Sequence, residues 1–411
     1  MSKNMKFIKL SMWLLILFVF TSAIYADIID SLDSAPDTEI EPILEELLTD
    51  SDASNKAILT LLNSEKIISL GHEQIPARYV GIMILSKRKQ VNPFFYSSLF
   101  ELAIEEQKRD KNIEGWFSSS MLLAQKTNND IVPFLIEKLK SEESAVKQLS
   151  IILLSNKKDK RAVEPLKKLF LEDGDIFASQ ALYEILKEEM IPILSEGIKS
   201  QNWKVRLFSC HHLGNMGQGF QDLAGVLEND PNQDVRATAS FAMRFIKEKD
   251  AVDVLIKALG DTSTLVQVKA ANTLAVYKKS DAGVDILVKN LNNNNDEIRE
   301  DAARGLIYAR TTDAEEALCQ ALSNEKIADI RYLLPLALEK HGTSTCLPIL
   351  FSALQDKDDR VRRNAAAAIK AIIDRHTNQS IPVLEMIIKE GPDISKEKAK
   401  EYLRKIDSSK D

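Results

Sequence analysis

One pattern of residues recurs nine times between about residue 128 and residue 407, and it restricts the fold more than any other feature. Taking Pro133 as an anchor, equivalent positions fall at Pro165, Pro192, Asp222, Asp253, Asp285, Ala317, Pro348 and Pro382, in steps of 27 to 34 residues. Eight places after each anchor stands a turn-former or helix-capper: Ser141, Asp173, Ser200, Asp230, Asp261, Asn293, Glu325, Asp356 and Glu390. Five further on is a small apolar residue, namely Val146, Ala178, Val205, Val235, Val266, Ile298, Ile330 and Val361, with a lapse at Ser395. The next residue is usually basic (Lys147, Arg206, Arg236, Arg299, Arg331, Arg362, Lys396), Ser179 and Gln267 being the exceptions. A period in this range marks stacked copies of one supersecondary unit.

Inside each copy the period is helical. Four past the Val-type position stand Ser150, Leu182, Ser209, Ala239, Ala270, Ala302, Leu334, Ala365 and Ala399. Eight past it stand Leu154, Leu186, Leu213, Met243, Leu274, Leu306, Leu338, Ile369 and Leu403. Those offsets share one stripe of an α-helix, and small residues at its middle let neighbouring helices approach closely. The preceding segment is a second amphipathic helix, with Leu135, Leu194, Leu255, Leu287, Leu350 and Leu384 two residues past the anchor. Neither helix can bury its stripe alone, so successive pairs must stack. No segment alternates with a period of two between hairpin turns, so no strand is expected. A low aromatic content of 6%, with only 14 Gly and 12 Pro, agrees with stacked Leu/Ala helices. The expected fold is all-α, an α-solenoid of antiparallel helix pairs.

Residues 41–127 are more ragged. Pro42 with Asp50 fits the template, and Ile113, Phe117 and Met121 fit its second helix, whereas 63–92 fits poorly. Two or three degenerate copies there suit the capping end of an array and bring the total to about twelve pairs.

The combination of Pro in the first helix, Asp in the turn and Val-Arg opening the second helix resembles the HEAT-repeat family, in its short bacterial form related to phycobilin-lyase repeats. It stands in this sequence as Pro348, Asp356 and Val361-Arg362, and without the Pro as Asp230 and Val235-Arg236. The resemblance implies a right-handed superhelix with second helices on the concave side. It also implies a ladder in which turn carboxylates bond the arginines that follow them, through Asp230, Arg236, Asp261, Arg299, Arg331, Asp356 and Arg362. A buried guanidinium needs a carboxylate, and a bidentate pair would fix the angle between repeats. Gln267 and Asn293 interrupt that ladder.

The N-terminal segment reads as an address. Lys3, Lys6 and Lys9 precede an apolar run from Leu10 to Tyr25, and small residues lead to Ala26. This is the order of a secretory signal peptide over residues 1–26, the alternative being an uncleaved membrane anchor. An acidic leader, 27–40, follows. The chain carries 54 basic and 61 acidic residues, a net charge of −7. Loss of the signal removes Lys3, Lys6 and Lys9 and no acid, which makes the balance −10. Such a chain is not a general nucleic-acid binder. The expected location is a bacterial periplasm or the exterior.

Chemistry is sparsely represented. His211 and His212 are adjacent and point about 100° apart on a helix, which does not suit a shared metal. HEAT-like deoxyhypusine hydroxylases use several His-Glu pairs, and this sequence has one, His72-Glu73. The three cysteines, Cys210, Cys319 and Cys346, fall at core-type positions. Cys319 and Cys346 differ by about one helical turn in repeat position, so no disulfide is expected between them. No phosphate loop, nucleophile elbow or zincin motif is present, so neither catalysis nor a cofactor is expected. Pro335 falls mid-helix, where it removes the bond to the Arg331 carbonyl and should bend the helix.

Positions that do not repeat are more informative. Offsets two, six and nine past the Val position share a helix face and carry no common residue: Leu207 and His211; Ala237, Phe241 and Arg244; Val268 and Asn272; Glu300, Arg304 and Ile307; Tyr332, Leu336 and Glu339. Apolar and aromatic residues beside arginines are what a protein-binding groove uses. The candidate partner-binding face is therefore Leu207, His211, Phe241, Arg244, Asn272, Arg304, Tyr332 and Leu336. The function expected is a non-catalytic binding or scaffolding module for a protein or peptide in the cell envelope. An enzyme or cofactor carrier of the bilin-lyase-like class and a structural envelope protein are the alternatives.

Overall fold

The computed structural model describes residues 32–33, 40–70, 73–108, 119–246, 251–277, 282–309 and 314–408. The candidate signal peptide, nearly all of the acidic leader, His72, Ile113 and Phe117 lie outside them. The chain divides into two compact units, Met1–Lys187 and Glu188–Asp411. That division falls inside the regular repeats rather than at their start near residue 128.

In the first unit, α1 (Ile40–Leu48) and α2 (Asp52–Leu62) are followed by two short strands, β1 (Ile67–Leu70) and β2 (Glu73–Pro76). Then come α3 (Ala77–Lys87), α4 (Tyr96–Lys108), α5 (Ser119–Gln125), α6 (Val132–Lys138), α7 (Ser144–Lys157), α8 (Val163–Lys168) and α9 (Ile176–Leu186). The strands correct the expectation that none would form. They pair antiparallel, Ile67 opposite Pro76 and Ile68 opposite Ile75. Ile68 is fully buried while Ile67 is 59% exposed, and four residues per strand are too few to reveal a period. The ribbon occupies the segment that fits the repeat poorly. Nearby, Arg88 is buried and donates to Asp50 Oδ1 (3.3 Å), Asn55 Oδ1 (2.7 Å) and the Leu47 carbonyl (2.9 Å), with Phe95 beneath its guanidinium. A buried arginine needs that many acceptors, and it ties the ragged turns together.

The second unit is more regular. Its first and second helices alternate as α10 (Ile191–Gly197) and α11 (Trp203–Asn215), α12 (Phe220–Asn229) and α13 (Gln233–Ala242), and α14 (Ala251–Ala258) and α15 (Thr264–Val276). They continue as α16 (Val284–Asn290) and α17 (Asp296–Tyr308), and α18 (Glu315–Asn324) with a broken partner, α19 (Ala328–Arg331) plus α20 (Leu333–His341). The last pairs are α21 (Leu347–Ala353) with α22 (Asp359–Arg375) and α23 (Thr377–Glu390) with α24 (Asp393–Ser408). Pro192 and Pro348 sit in the first turn of their helices, where a missing N–H costs nothing. The break at Tyr332 lies three residues before Pro335, as a mid-helix proline dictates. Second helices α11, α13, α15, α17, α20 and α22 pack side by side, each against the next, while first helices touch more sparingly. The second helices are thus the tighter, inner row of this unit. Gly214 shows how tight: a Cβ there would lie 2.5 Å from the Ala242 Cβ of the next second helix.

Repeats are joined by carboxylate–guanidinium pairs, but with a different connectivity from the one expected. Asp230 takes Arg206 of the preceding repeat, Nε to Oδ2 at 2.6 Å and Nη2 to Oδ1 at 2.9 Å. Asp261 takes Arg236, Glu325 takes Arg299 and Asp356 takes Arg331 in the same way. The arginine that follows each turn carboxylate reaches only its backbone carbonyl: Arg236 the Asp230 oxygen (2.8 Å), Arg362 that of Asp356 (2.7 Å). Arg362 ends on Asp359 of its own helix, at 3.0 Å. The reason is local geometry. One oxygen of each turn carboxylate already accepts the backbone N–H two residues on, as Asp230 does from Asn232 (2.9 Å), and this aims the carboxylate back toward the earlier repeat. The Arg331 guanidinium holds the Asp356 carboxyl below the usual carboxylate range.

The rung is missing between α15 and α17, where Gln267 keeps only the bond to the Asp261 carbonyl (2.7 Å) and Asn293 supplies no carboxylate. Lys269 links these helices instead, 2.6 Å from Asp301 and 3.0 Å from Glu297. Burial alone would lower the Lys269 ammonium, and the two carboxylates outweigh it and raise it.

Cys319 and Cys346 form a disulfide with Cα atoms 6.2 Å apart, which corrects the expectation that they would not pair. Repeat position misled because Cys346 does not sit on a regular helix: it ends the 3₁₀ turn Ser344–Cys346. Glu315 at the start of α18 accepts from the Thr343 N–H (3.0 Å) and hydroxyl (2.7 Å) and draws that turn against α18.

Candidate functional site

In four second helices, α11, α13, α17 and α20, the inner row leaves a stripe facing away from the core. It follows offsets six and ten past the Val position, one helical turn apart. The pairs are His211 and Asn215, Phe241 and Phe245, Arg304 and Tyr308, and Leu336 and Lys340. Offset two turns mostly inward, so Leu207 and Tyr332 are half-buried and Ala237 and Val268 are buried. At offset six, His211 and Arg304 are exposed, Phe241 and Leu336 half-buried and Asn272 buried. Asn215, Phe245, Tyr308 and Lys340 are the residues this stripe adds. A register extended by four residues from offset six would have found them.

The eight candidates fare differently. His211 is exposed, its Nε2 3.0 Å from the Asn215 amide nitrogen. Leu336 is half-buried. Arg304 is exposed but already holds Glu300, with Nη2 2.6 Å from Oε1. Tyr332 packs against the hydrophobic core with Arg360 over its ring at 4.9 Å. Asn272 does not belong to the face: it is 1% exposed and donates to Asp301 Oδ1 at 3.4 Å. Asn272 packs beside Asp301, which Lys269 holds at 2.6 Å.

Phe241 and Arg244 do come together, with Phe245 as a third member. The two rings meet edge to face with centroids 6.1 Å apart. The Arg244 guanidinium carbon lies 4.9 Å from the Phe241 centroid and 5.8 Å from that of Phe245. Lys269 approaches the Phe241 ring as well, at 5.6 Å. Such ring–cation stacking favours a guanidinium and keeps it lightly hydrated. Phe245 is 47% exposed, a large apolar surface for a residue with no role in the core.

This cluster is held from two sides. The chain leaves α13 through a 3₁₀ turn, Met243–Phe245, anchored by the fully buried Met243. From the next repeat, Tyr277 donates its hydroxyl to the Met243 carbonyl at 2.6 Å and abuts the Ile246 carbonyl. Thr273 donates to the Ser240 carbonyl at 3.1 Å. The turn that presents Arg244 and Phe245 is thus fixed by side chains of α15 and its C-cap. Tyr308 and Lys340 form a second exposed ring–cation pair, 5.2 Å apart, on the later repeats. Among the described residues, no three His, Cys, Asp or Glu side chains converge so as to hold a metal ion.

A family model described as HEAT repeats matches residues 220–307 and 315–404. No curated relative matches the sequence. Among solved structures, the karyopherin Kap121p bound to the extreme C-terminus of the protein phosphatase Cdc14p has a TM-score of 0.55 at 13% identity. That likeness covers 90% of this chain and 48% of Kap121p. The CpcE–CpcF complex of phycocyanin lyase from Nostoc sp. PCC7120 has a TM-score of 0.35 at 16% identity, over 59% of this chain and 94% of that one. Human deoxyhypusine hydroxylase in complex with glycerol has 0.28 at 18%, over 62% and 98%. The Kap121p likeness shows the helical-solenoid fold.

Proposed function

Proceeding from a chain whose residues 220–307 and 315–404 are HEAT repeats, we propose that it is a non-catalytic protein-binding or scaffolding module of the cell envelope. The observation that carries this reading is the Phe241–Arg244–Phe245 cluster. It lies on the outward stripe of the inner helix row, its Phe245 is exposed where the fold does not require it to be while Phe241 and Arg244 are half-buried, and it is held in place by the neighbouring repeat. Rigid aromatic and arginine anchors are what binding faces concentrate their affinity in. Kap121p, of the same fold, is seen with the end of another protein bound, and binding of a protein segment is the analogous use proposed here. Export rests on the order of charge, apolar run and small residues before Asp27. The Cys319–Cys346 bridge supports it, since such bonds persist in oxidising compartments.

The test is chemical crosslinking of the exported chain in its native envelope fraction, followed by mass spectrometry, with Phe241→Ala plus Phe245→Ala as the comparison. Both side chains lie on the outward stripe, so the variant should keep its helical circular dichroism and lose the partner. Equal recovery of the same partner by both chains would sink the reading.

A further inference from the structure

We infer that Arg244 is the recognition point of this face, and that it takes a carboxylate side chain of a protein segment with an apolar residue beside it. The inference rests on the binding reading above and narrows it to one chemistry. Five arginines of the second helices have their acids: Arg206 holds Asp230, Arg236 Asp261, Arg299 Glu325, Arg304 Glu300 and Arg331 Asp356, while Arg375 is spent on the carbonyls of Glu339 and Gly342. Among the described residues no carboxylate pairs with Arg244. Lys269, the other cation at the Phe241 ring, is already neutralised by Asp301 and Glu297. The cluster therefore carries one open positive charge.

Its geometry selects the ligand. Phe241 and Phe245 lie against the guanidinium carbon, and among the described residues no carboxylate takes its fork of N–H donors. A fork of that kind matches two oxygens in one plane, which a carboxylate presents. Phe245, nearly half exposed next to the fork, offers an apolar contact to a neighbouring side chain. A polyanion fits poorly, because the whole chain carries −7 and the other arginines of the row are engaged. A single acidic residue flanked by an apolar one answers both features. The 3₁₀ turn clamped by Tyr277 means that the fork is in place before the ligand arrives.

The experiment is affinity selection of a displayed library of random linear dodecapeptides on the full chain, on Arg244→Gln, on Arg244→Lys and on Phe241→Ala. Expected from the natural chain is a consensus with Asp or Glu next to an aromatic or aliphatic residue. A synthetic consensus peptide should weaken about tenfold or more when its acid becomes the amide, and by a similar factor on Arg244→Gln. Arg244→Lys, which keeps the charge without the fork, should recover only part of that loss. A neutral or basic consensus, the same acidic consensus from Arg244→Gln, or displacement of the peptide by inorganic phosphate at equal concentration would each overturn the inference. A neutral consensus lost on Phe241→Ala would do so while leaving the binding reading intact. Absence of any consensus from the natural chain would remove both.

Discussion

His212 is buried to 3% exposure beside the exposed His211, and the two rings lie 5.6 Å apart. Burial, with His211 adding to it, pushes its pKa down from 6.5 to about 4. The unfolded chain binds this proton at ordinary acidity while the folded chain refuses it. The stability tied to His212 is therefore fully present above pH 6.5 and is lost as the pH falls toward 4. At the lower end the loss amounts to about 3 kcal/mol. The urea midpoint of the natural chain should drop between pH 7.5 and 4.5, and the drop should shrink in His212→Leu; an equal drop in both would show that other groups carry the acid sensitivity. The cysteines allow a second check at this scale. Without reductant, only Cys210 should be alkylated after denaturation, because Cys319 and Cys346 are bridged. Their joint replacement by Ser should lower the unfolding free energy by about 3.5 kcal/mol for a closed loop of this length. Alkylation of all three cysteines would contradict the bridge.

At the scale of elements, the carboxylate ladder gives both a prediction and a measure of what the sequence reveals. Asp230 and Arg236 lie six residues apart, and Arg206 and Asp230 lie 24 apart, so either arginine could serve by spacing alone. The hydrogen bond from Asn232 to Asp230 settles the choice, and that is a matter of turn geometry which no residue pattern displays. The helices themselves were legible because their stripes repeat, and the break before Pro335 was legible because proline acts locally. The β1–β2 ribbon was not, being four residues on each side with one buried contact. The burial of Asn272 was not legible, because it involves Asp301 of the next repeat, which residue spacing does not reveal. In the ladder, Arg236→Ala and Asp261→Ala should each destabilise, and their double-mutant cycle should show a coupling of about 1–3 kcal/mol. Additive effects would mean that the bidentate pair contributes nothing. Conversely, Gln267→Arg with Asn293→Asp should build the absent rung and raise the unfolding free energy by about 1 kcal/mol, since Gln267 already makes the backbone half of the bond. No gain would mean that the Lys269 linkage has fixed these helices at another spacing.

For the whole molecule, compartment, oxidation state and binding face are one problem. The acidic balance of −7, which becomes −10 if residues 1–26 are removed, gives no reason to attract nucleic acid or an anionic membrane surface. If Arg244, which has no carboxylate among the described residues, takes an acidic partner, a net acidic chain would choose among such partners rather than gather them by bulk attraction. The bridge between Cys319 and Cys346 joins neighbouring repeats, and in a reducing cytosol it would stand open. Two forms of the chain separate these ideas: the full sequence, expressed in a bacterium that can export it, and a form in which Met replaces residues 1–26 and the chain stays in the cytosol. The exported form should begin at Asp27 by N-terminal mass spectrometry, carry the bridge, and melt at the higher temperature. The cytosolic form should have both thiols free, melt lower, and regain the difference on oxidation. Retention of residues 1–26 would turn the address into an anchor, and free thiols in the exported form would remove the oxidising compartment from the account. Because Arg244 lies on other repeats than the bridge, both forms should select the same acidic peptides, which keeps the test of location independent of the test of recognition.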